Sequence, residues 1–70
     1  MSERKIETVK GMCAVAITKF LMQKNHLTLD DAYARFMNME LYQLIMDTDS
    51  GMYLEQNDFL LECCEIEENQ

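Results

Sequence analysis

The sequence predicts an all-α protein, a compact bundle of three to four helices, and two observations support this fold class. The 70-residue chain contains no proline and only two glycines, so it can form few of the tight turns that connect short strands. Apolar residues also recur every three or four positions in several segments, which is the spacing of one helical face. A chain of this length allows a single domain, residues 1–70.

The first helix is predicted to run from Ser2 or Glu3 to Lys24. The residues expected on its inner face share a spacing of three or four positions: Ile6, Val9, Cys13, Ile17 and Phe20, with Ala16 and Leu21 widening the face. Gly11 lies in the helix interior, where glycine costs about 1 kcal/mol relative to alanine. It either admits the close approach of another helix or is tolerated at that cost.

A second apolar edge of this helix consists of Met12, Val15 and Met22, and one packing face of a small bundle does not need it. Methionine often fills cores, but it is also frequent at adaptable binding surfaces. Domains of this size usually gain stability from a disulfide, a metal or a second subunit. Met12, Val15 and Met22 are therefore candidate interface residues, and a homodimer is one expectation. The alternative is that other helices cover both edges within a monomer.

The second helix is predicted to begin after Thr28, which has the character of an N-cap with Asp31 in the capping-box position. The residues expected to face inward follow the helical spacing: Leu29, Ala32, Tyr33, Phe36 and Met37. A short third helix, residues 39–46, is predicted to be capped by Asn38. Its expected inner residues are Leu41, Leu44 and Ile45.

The segment from Asp47 to Gly51 is the clearest loop, because it combines aspartate, serine and glycine. Residues 52–54 form a short apolar stretch, which is predicted to be extended. A fourth helix is predicted from Gln56 or Asn57 to Glu68. Its expected inner residues are Phe59, Leu60, Cys63 and Ile66, with Leu61 and Cys64 partly off that face.

The charge of the chain restricts its partners. Thirteen Asp and Glu residues oppose six Lys and Arg residues, and the net charge is −7. Nucleic acids and anionic membrane surfaces bind through basic residues, so neither is an expected partner. A basic protein would be attracted electrostatically, whereas the simpler interpretation is that net charge keeps a small protein soluble.

The end of the fourth helix concentrates negative charge, which opposes the helix dipole. This helix end is expected to fray unless a basic partner orders it. The candidate interface residues at this end are Glu62, Glu65, Glu67 and Glu68.

The chain is expected to be cytoplasmic. Its longest uninterrupted apolar run, residues 12–17, is much shorter than the roughly 20 residues of a membrane span, and the first residues do not have the pattern of a secretory signal. Three cysteines, two of them adjacent, make a poor disulfide framework. Cys13, Cys63 and Cys64 are therefore expected to be free thiols.

No metal, cofactor or catalytic residue is predicted. Asp47, Asp49 and Asp58 suggest a calcium loop, but Gly51 and Met52 stand where that loop needs an oxygen ligand and a glycine. The cysteines and His26 lack the spaced pairs of a zinc site. A Cys–His nucleophile pair would need an electropositive environment, and the chain is acidic. A helix-turn-helix interpretation fails because residues 39–46 contain no lysine or arginine.

The segments LDDAYARF (residues 29–36), LYQLIMD (41–47) and SGMYLE (50–55) resemble small uncharacterised bacterial helical proteins that form a domain of unknown function. Some of those proteins are encoded beside toxin-like genes. The resemblance implies an antitoxin-like or accessory role, and no catalytic residue can be transferred from it.

Together these features predict a non-catalytic protein–protein interaction module, plausibly a bacterial accessory or antitoxin-like factor. One alternative is a homo-oligomeric structural domain without another partner. A thiol-based metal or redox sensor is the third hypothesis.

Overall fold

Four α-helices follow one another in the computed structural model, which describes residues 2–70. Their bounds are Glu3–Asn25 (α1), Leu29–Met37 (α2), Glu40–Met46 (α3) and Asn57–Glu68 (α4). Two short 3₁₀ turns, Thr48–Ser50 and Met52–Leu54, connect α3 to α4. The predicted all-α bundle is confirmed, and the expected extended stretch at residues 52–54 is instead a 3₁₀ turn with Tyr53 buried.

The first helix sets the length of the molecule. Its 23 residues give a rod of about 35 Å at 1.5 Å per residue, close to the longest dimension of the bundle, 36 Å. The hydroxyl of Ser2 begins it by accepting a hydrogen bond from the backbone N–H of Lys5. His26 ends it in a left-handed conformation, φ 54°. Both α2 and α4 pack along this rod.

Every helix contributes to one core. The largest fully buried side chains are Phe36, Ile17, Leu21, Ile45, Leu60 and Cys64. Each apolar side chain of this size adds about 1.5–3 kcal/mol when it leaves water, which is substantial for a domain with a total stability of about 5–15 kcal/mol.

The inner face of α4 differs from the prediction. Leu60 and Cys64 are fully buried, while Phe59 is 45% exposed and Ile66 is 58% exposed. Consecutive residues differ by about 100° around a helix, so the buried face lies roughly one residue position away from the expected one. Leu60 and Cys64 are separated by four positions, so the observed buried face has helical spacing, as the predicted face also does. Packing against the neighbouring helices decides which of these two faces is buried.

Two other helices also bury fewer residues than predicted. In α2 only Ala32 and Phe36 are buried, so the expected inner residues Leu29, Tyr33 and Met37 are exposed. In α3, Leu41 and Ile45 are buried, and the expected inner residue Leu44 is exposed. Each short helix therefore places a narrow apolar face in the core and leaves further apolar side chains in contact with solvent.

The predicted cap of α3 is wrong. Asn38 ends α2, and its side-chain amide donates to the carbonyl of Ala34. Met39 stands at the N-cap position of α3 and offers no side-chain hydrogen bond. The first N–H groups of α3 therefore have no acceptor in their own N-cap residue.

The predicted cap of α2 is confirmed, because the hydroxyl of Thr28 accepts a hydrogen bond from the backbone N–H of Asp31 at 3.2 Å. Thr28→Ala removes this acceptor and should lower the free energy of unfolding by about 1 kcal/mol, measured by urea denaturation. Thr8→Ala is the control, since the Thr8 hydroxyl only donates to a carbonyl one turn earlier in α1. Equal stability of Thr28→Ala and the wild type would contradict the capping role.

Candidate protein-binding surfaces

The residues predicted as an interface lie in different environments. Met12 is 66% exposed and Val15 is 54% exposed, whereas Met22 is partly buried against the core. Among the acidic residues, Glu62 and Glu65 are exposed, but Glu67 and Glu68 are partly buried. The expected set therefore divides into an apolar region on α1, an acidic region on α4 and two glutamates with contacts inside the bundle.

One apolar surface, here called the α1–α2 surface, consists of Met12, Val15, Lys19, Leu29 and Tyr33. A groove of about 140 Å³ crosses it between the two helices. The surface exposed in the groove is almost entirely apolar, and the residues that line it are Ala14, Val15, Thr18, Lys19, Leu29 and Tyr33. A more open depression continues along α1 past Gly11 and Met12, and Val15 and Lys19 border both.

Two residues beside this surface have unusual surroundings, namely Thr18 and Gly11. Thr18 is buried, and its hydroxyl has no hydrogen-bond partner within residues 2–70. A Cβ atom added at Gly11 would meet nothing within 4 Å, so none of the described residues approaches that glycine. Within a single chain no other helix therefore packs closely against Gly11, and this glycine is simply tolerated on an open face of α1.

A second surface, here called the α3–α4 surface, consists of Leu44, Phe59, Glu62, Cys63 and Ile66. Its groove of about 160 Å³ has an apolar floor and an acidic edge; it is lined by Glu40, Leu41, Leu44, Cys63, Ile66, Glu67 and Gln70. Phe59, Glu62 and Ile66 follow at the i, i+3, i+7 spacing of one helical face. Apolar anchors and an exposed carboxylate therefore share this side of α4.

Glu67 supplies the acceptor that α3 lacks. One carboxylate oxygen accepts from the backbone N–H of Glu40 at 2.7 Å, and the other accepts from Leu41 at 3.0 Å. Negative charge at a helix N-terminus is also attracted to the partial positive charge of the helix dipole, which stabilises the helix. Glu67 thus caps the N-terminus of α3, although it lies 27 positions after Glu40 in the chain.

Glu68 joins α4 to the other two helices. One of its oxygens accepts from the side-chain amide of Asn25 at 3.0 Å, and the other pairs with the Arg35 guanidinium at 3.3 Å. Its side chain is 13% exposed, whereas the Arg35 side chain is 46% exposed, so water still screens the pair from the arginine side. Glu67 and Glu68 therefore have roles inside the fold, whereas the sequence predicted a helix end that frays unless a basic partner orders it.

Several basic side chains also contact the bundle itself. Lys10 donates to the Met46 carbonyl at 2.8 Å and to the Thr48 hydroxyl at 2.7 Å. Lys24 lies over the ring of Phe20, and Arg35 pairs with Glu68. Within the part of the chain that the structure describes, no ion pair involves Glu62 or Glu65.

Cys13, Cys63 and Cys64 are free thiols with different environments. The Cys13 thiol lies in the core and donates to the carbonyl of Tyr53 at 3.5 Å, and burial raises its pKa. Burial, followed by the negative charge of Glu68, raises the pKa of Cys64 from 9.0 to about 11. Cys63 is partly buried in the α3–α4 surface. Among residues 2–70 no three His, Cys, Asp or Glu side chains form a group that could hold a metal ion.

Of the three aspartates considered for calcium, Asp47 has a local structural contact, and Asp58 lies in the first turn of α4. The Asp47 side chain accepts from the backbone N–H of Asp49 at 3.0 Å and begins the first 3₁₀ turn. Gly51 ends that turn at φ 70°, a left-handed conformation that glycine adopts readily. The residues thus form a turn of ordinary construction.

Sequence reasoning missed Leu29, Tyr33 and Leu44 as surface residues because helical spacing assigned them to the core. It also missed the internal contacts of Glu67 and Glu68. The sequence contained no signal for these contacts, because Asn38 was the expected cap of α3 and only the structure places Met39 at that position.

Comparison with known proteins yields no relative. No family model, no curated protein and no solved structure matches the chain. No helix within residues 2–70 combines the length and the apolar character needed to cross a membrane.

Glu67→Ala should lower the free energy of unfolding by about 1–2 kcal/mol, because two N–H groups of α3 lose a charged acceptor. The measurement is urea denaturation followed by circular dichroism. Glu65→Ala removes the same side chain from an exposed position on α4 and should change stability by no more than about 0.5 kcal/mol. Similar losses for the two variants would show that Glu67 is not a cap.

The raised pKa of Cys64 makes stability depend on pH. Below its ordinary pKa of 9.0 the Cys64 thiol is protonated in both the folded and the unfolded chain, so the stability that comes from its burial as a neutral thiol is fully present. Above that pH the unfolded chain loses the proton first, and the contribution falls as pH rises towards about 11. The free energy of unfolding should therefore decrease over this interval more steeply in the wild type than in Cys64→Ala. Parallel curves for the two proteins would contradict this assignment.

Proposed function

We propose that this protein is a non-catalytic module that binds another protein, and that its α3–α4 surface receives a basic amphipathic helix of that partner. The observation that supports this most directly is the exposure of Phe59 and Ile66 on the same face of α4 as Glu62. Adjacent exposed apolar side chains with a polar rim are typical of protein interaction sites.

The chemistry of the surface specifies the kind of helix. Apolar anchors spaced at i, i+3 or i+4, and i+7 are the usual contacts of a helix bound in a groove. Leu44 and Ile66 border the groove, and Leu41 and Cys63 contribute to its floor. An apolar residue of the partner would enter the groove, while Lys or Arg residues of the same helix would face Glu62 and Glu65.

The exposed carboxylates mainly affect how fast the partner arrives. Charges at the rim of an interface raise the association rate by steering and make it sensitive to salt. Glu62 and Glu65 are exposed and available for this role. Glu67 and Glu68 belong to the proposed interface only through their effect on the position of α4, because their carboxylates already accept hydrogen bonds from other helices.

The non-catalytic part of the proposal is supported by what the ionisable groups do. Glu67 caps α3, Glu68 pairs with Arg35, and Asp47 begins a turn. These contacts stabilise the fold by joining its helices and starting a turn. A thiol-based sensor is less favoured, since a reactive cysteine needs a lowered pKa and the pKa of both Cys13 and Cys64 is raised.

An antitoxin-like or accessory role in a bacterial cytoplasm is the finer form of this proposal. It rests on the resemblance of residues 29–36, 41–47 and 50–55 to small bacterial proteins, and on free thiols that suit a reducing compartment. A basic toxin-like protein encoded next to this chain should bind it. Relief of toxicity by the wild type, but not by Ile66→Ser, would support the role.

A homo-oligomeric structural domain is the second candidate, and the exposed α1–α2 surface favours it. The two candidates use different residues, so variants can separate them.

The steering role predicts that Glu62→Gln/Glu65→Gln slows association with a basic partner and flattens its dependence on salt. The probe is a fluorescent amphipathic helical peptide that carries leucine on one face and lysine on the other. Stopped-flow mixing at several salt concentrations measures the association rate. Ile66→Ser should instead weaken binding mainly through faster dissociation, because it removes an apolar anchor.

Glu3→Gln/Glu7→Gln is the matched control, because it removes the same charge from exposed positions on α1. This control should retain most of the wild-type rate. If both double variants slowed association equally, the effect would come from net charge and not from the position of Glu62 and Glu65. If Ile66→Ser bound the peptide with unchanged affinity, the peptide would bind at a different surface.

A further inference from the structure

We infer that the α1–α2 surface is an interface between two copies of this chain, which pair about a two-fold axis near Val15. This interface is separate from the proposed site on α3 and α4. It includes Met12 and Val15 from the predicted apolar edge, and adds Leu29 and Tyr33 of α2.

The first argument is the continuity of exposed apolar side chains. Leu29 is 60% exposed and lies across the groove from Val15, which is 54% exposed. A groove of about 140 Å³ resembles in size the roughly 150 Å³ apolar cavity that holds a benzene molecule. It can therefore accept one apolar side chain of a partner.

The second argument is charge. The chain carries a net charge of −7, so two copies repel each other wherever their carboxylates face. Grooves elsewhere on the bundle include such groups, with Glu40 and Asp47 beside α3 and Glu3 and Glu7 at the start of α1. Among the described residues, those lining the two α1–α2 depressions include Lys19 and no carboxylate. Two copies can thus approach here with the least repulsion.

The third argument is area. The accessible surface is 4971 Å², about a tenth more than the roughly 4,500 Å² typical of a compact monomer with this mass. The bundle measures 36 × 22 × 19 Å, so a long face approaches the roughly 800 Å² that each partner buries in an ordinary stable interface. A dimer through a long face would cover surface that the isolated chain leaves exposed.

The fourth argument is the geometry of α1. In an antiparallel pair centred on Val15, Lys19 of one copy lies opposite Gly11 of the other. The two Lys19 residues are then about 12 Å apart along the helices, from a rise of 1.5 Å per residue, and their ammonium groups do not face each other. Gly11, whose Cβ position is open in the single chain, leaves room for the lysine stem.

Sedimentation equilibrium of the full chain tests this interface over a wide concentration range. The wild type should approach twice the monomer mass at about 100 μM, since a micromolar Kd corresponds to about 8 kcal/mol of binding. Val15→Glu and Leu29→Glu should each remain monomeric there, while circular dichroism shows the same helical content as the wild type.

Leu54→Glu is the matched control, because Leu54 is 59% exposed and lies outside both surfaces. This variant and Ile66→Ser should dimerise like the wild type. A wild-type monomer at the highest concentration would overturn the inference. It would also fail if Val15→Glu and Leu29→Glu dimerised normally. If Ile66→Ser alone abolished the dimer, the pairing would use the α3–α4 surface instead.

Discussion

The contacts of Glu67 and Glu68 at the end of α4 join this helix to the other three. Glu67 accepts the first N–H groups of α3, and Glu68 contacts Asn25 of α1 and Arg35 of α2. Because these glutamates lie three and four positions after Cys64, they extend the buried face of α4. A rotation that buried Ile66 instead would leave α3 without its cap and expose Cys64.

The orientation of α4 also explains where the exposed apolar residues lie. With Leu60 and Cys64 in the core, Phe59 and Ile66 are on the outer side with Glu62. The orientation of α2 has a similar consequence: Ala32 and Phe36 occupy the core, so Leu29 and Tyr33 lie on the surface beside α1. The bundle consequently has two apolar surfaces of different charge: one bordered by carboxylates and one that includes a single lysine.

The acidic composition has two physical consequences that differ by position. Carboxylates that accept hydrogen bonds inside the bundle stabilise helices whose ends would otherwise lack partners. Exposed carboxylates such as Glu62 and Glu65 instead set the long-range field that a charged partner meets. Glu68 has a further effect inside the bundle, because its negative charge disfavours the thiolate of nearby Cys64 and helps to raise the pKa of that thiol.

Local features of the sequence determined the fold class, the approximate helix bounds and the Thr28 cap. Low glycine content, helical spacing and capping residues act within a few positions of one another, so they can be recognised in the chain alone. Only the tertiary structure decided which face of α4 is buried and which glutamates remain free. The apolar residues of α4 cover a wide arc, and the contacts that select its orientation join residues 26 to 43 positions apart. Helical spacing carries no information about such distant hydrogen bonds.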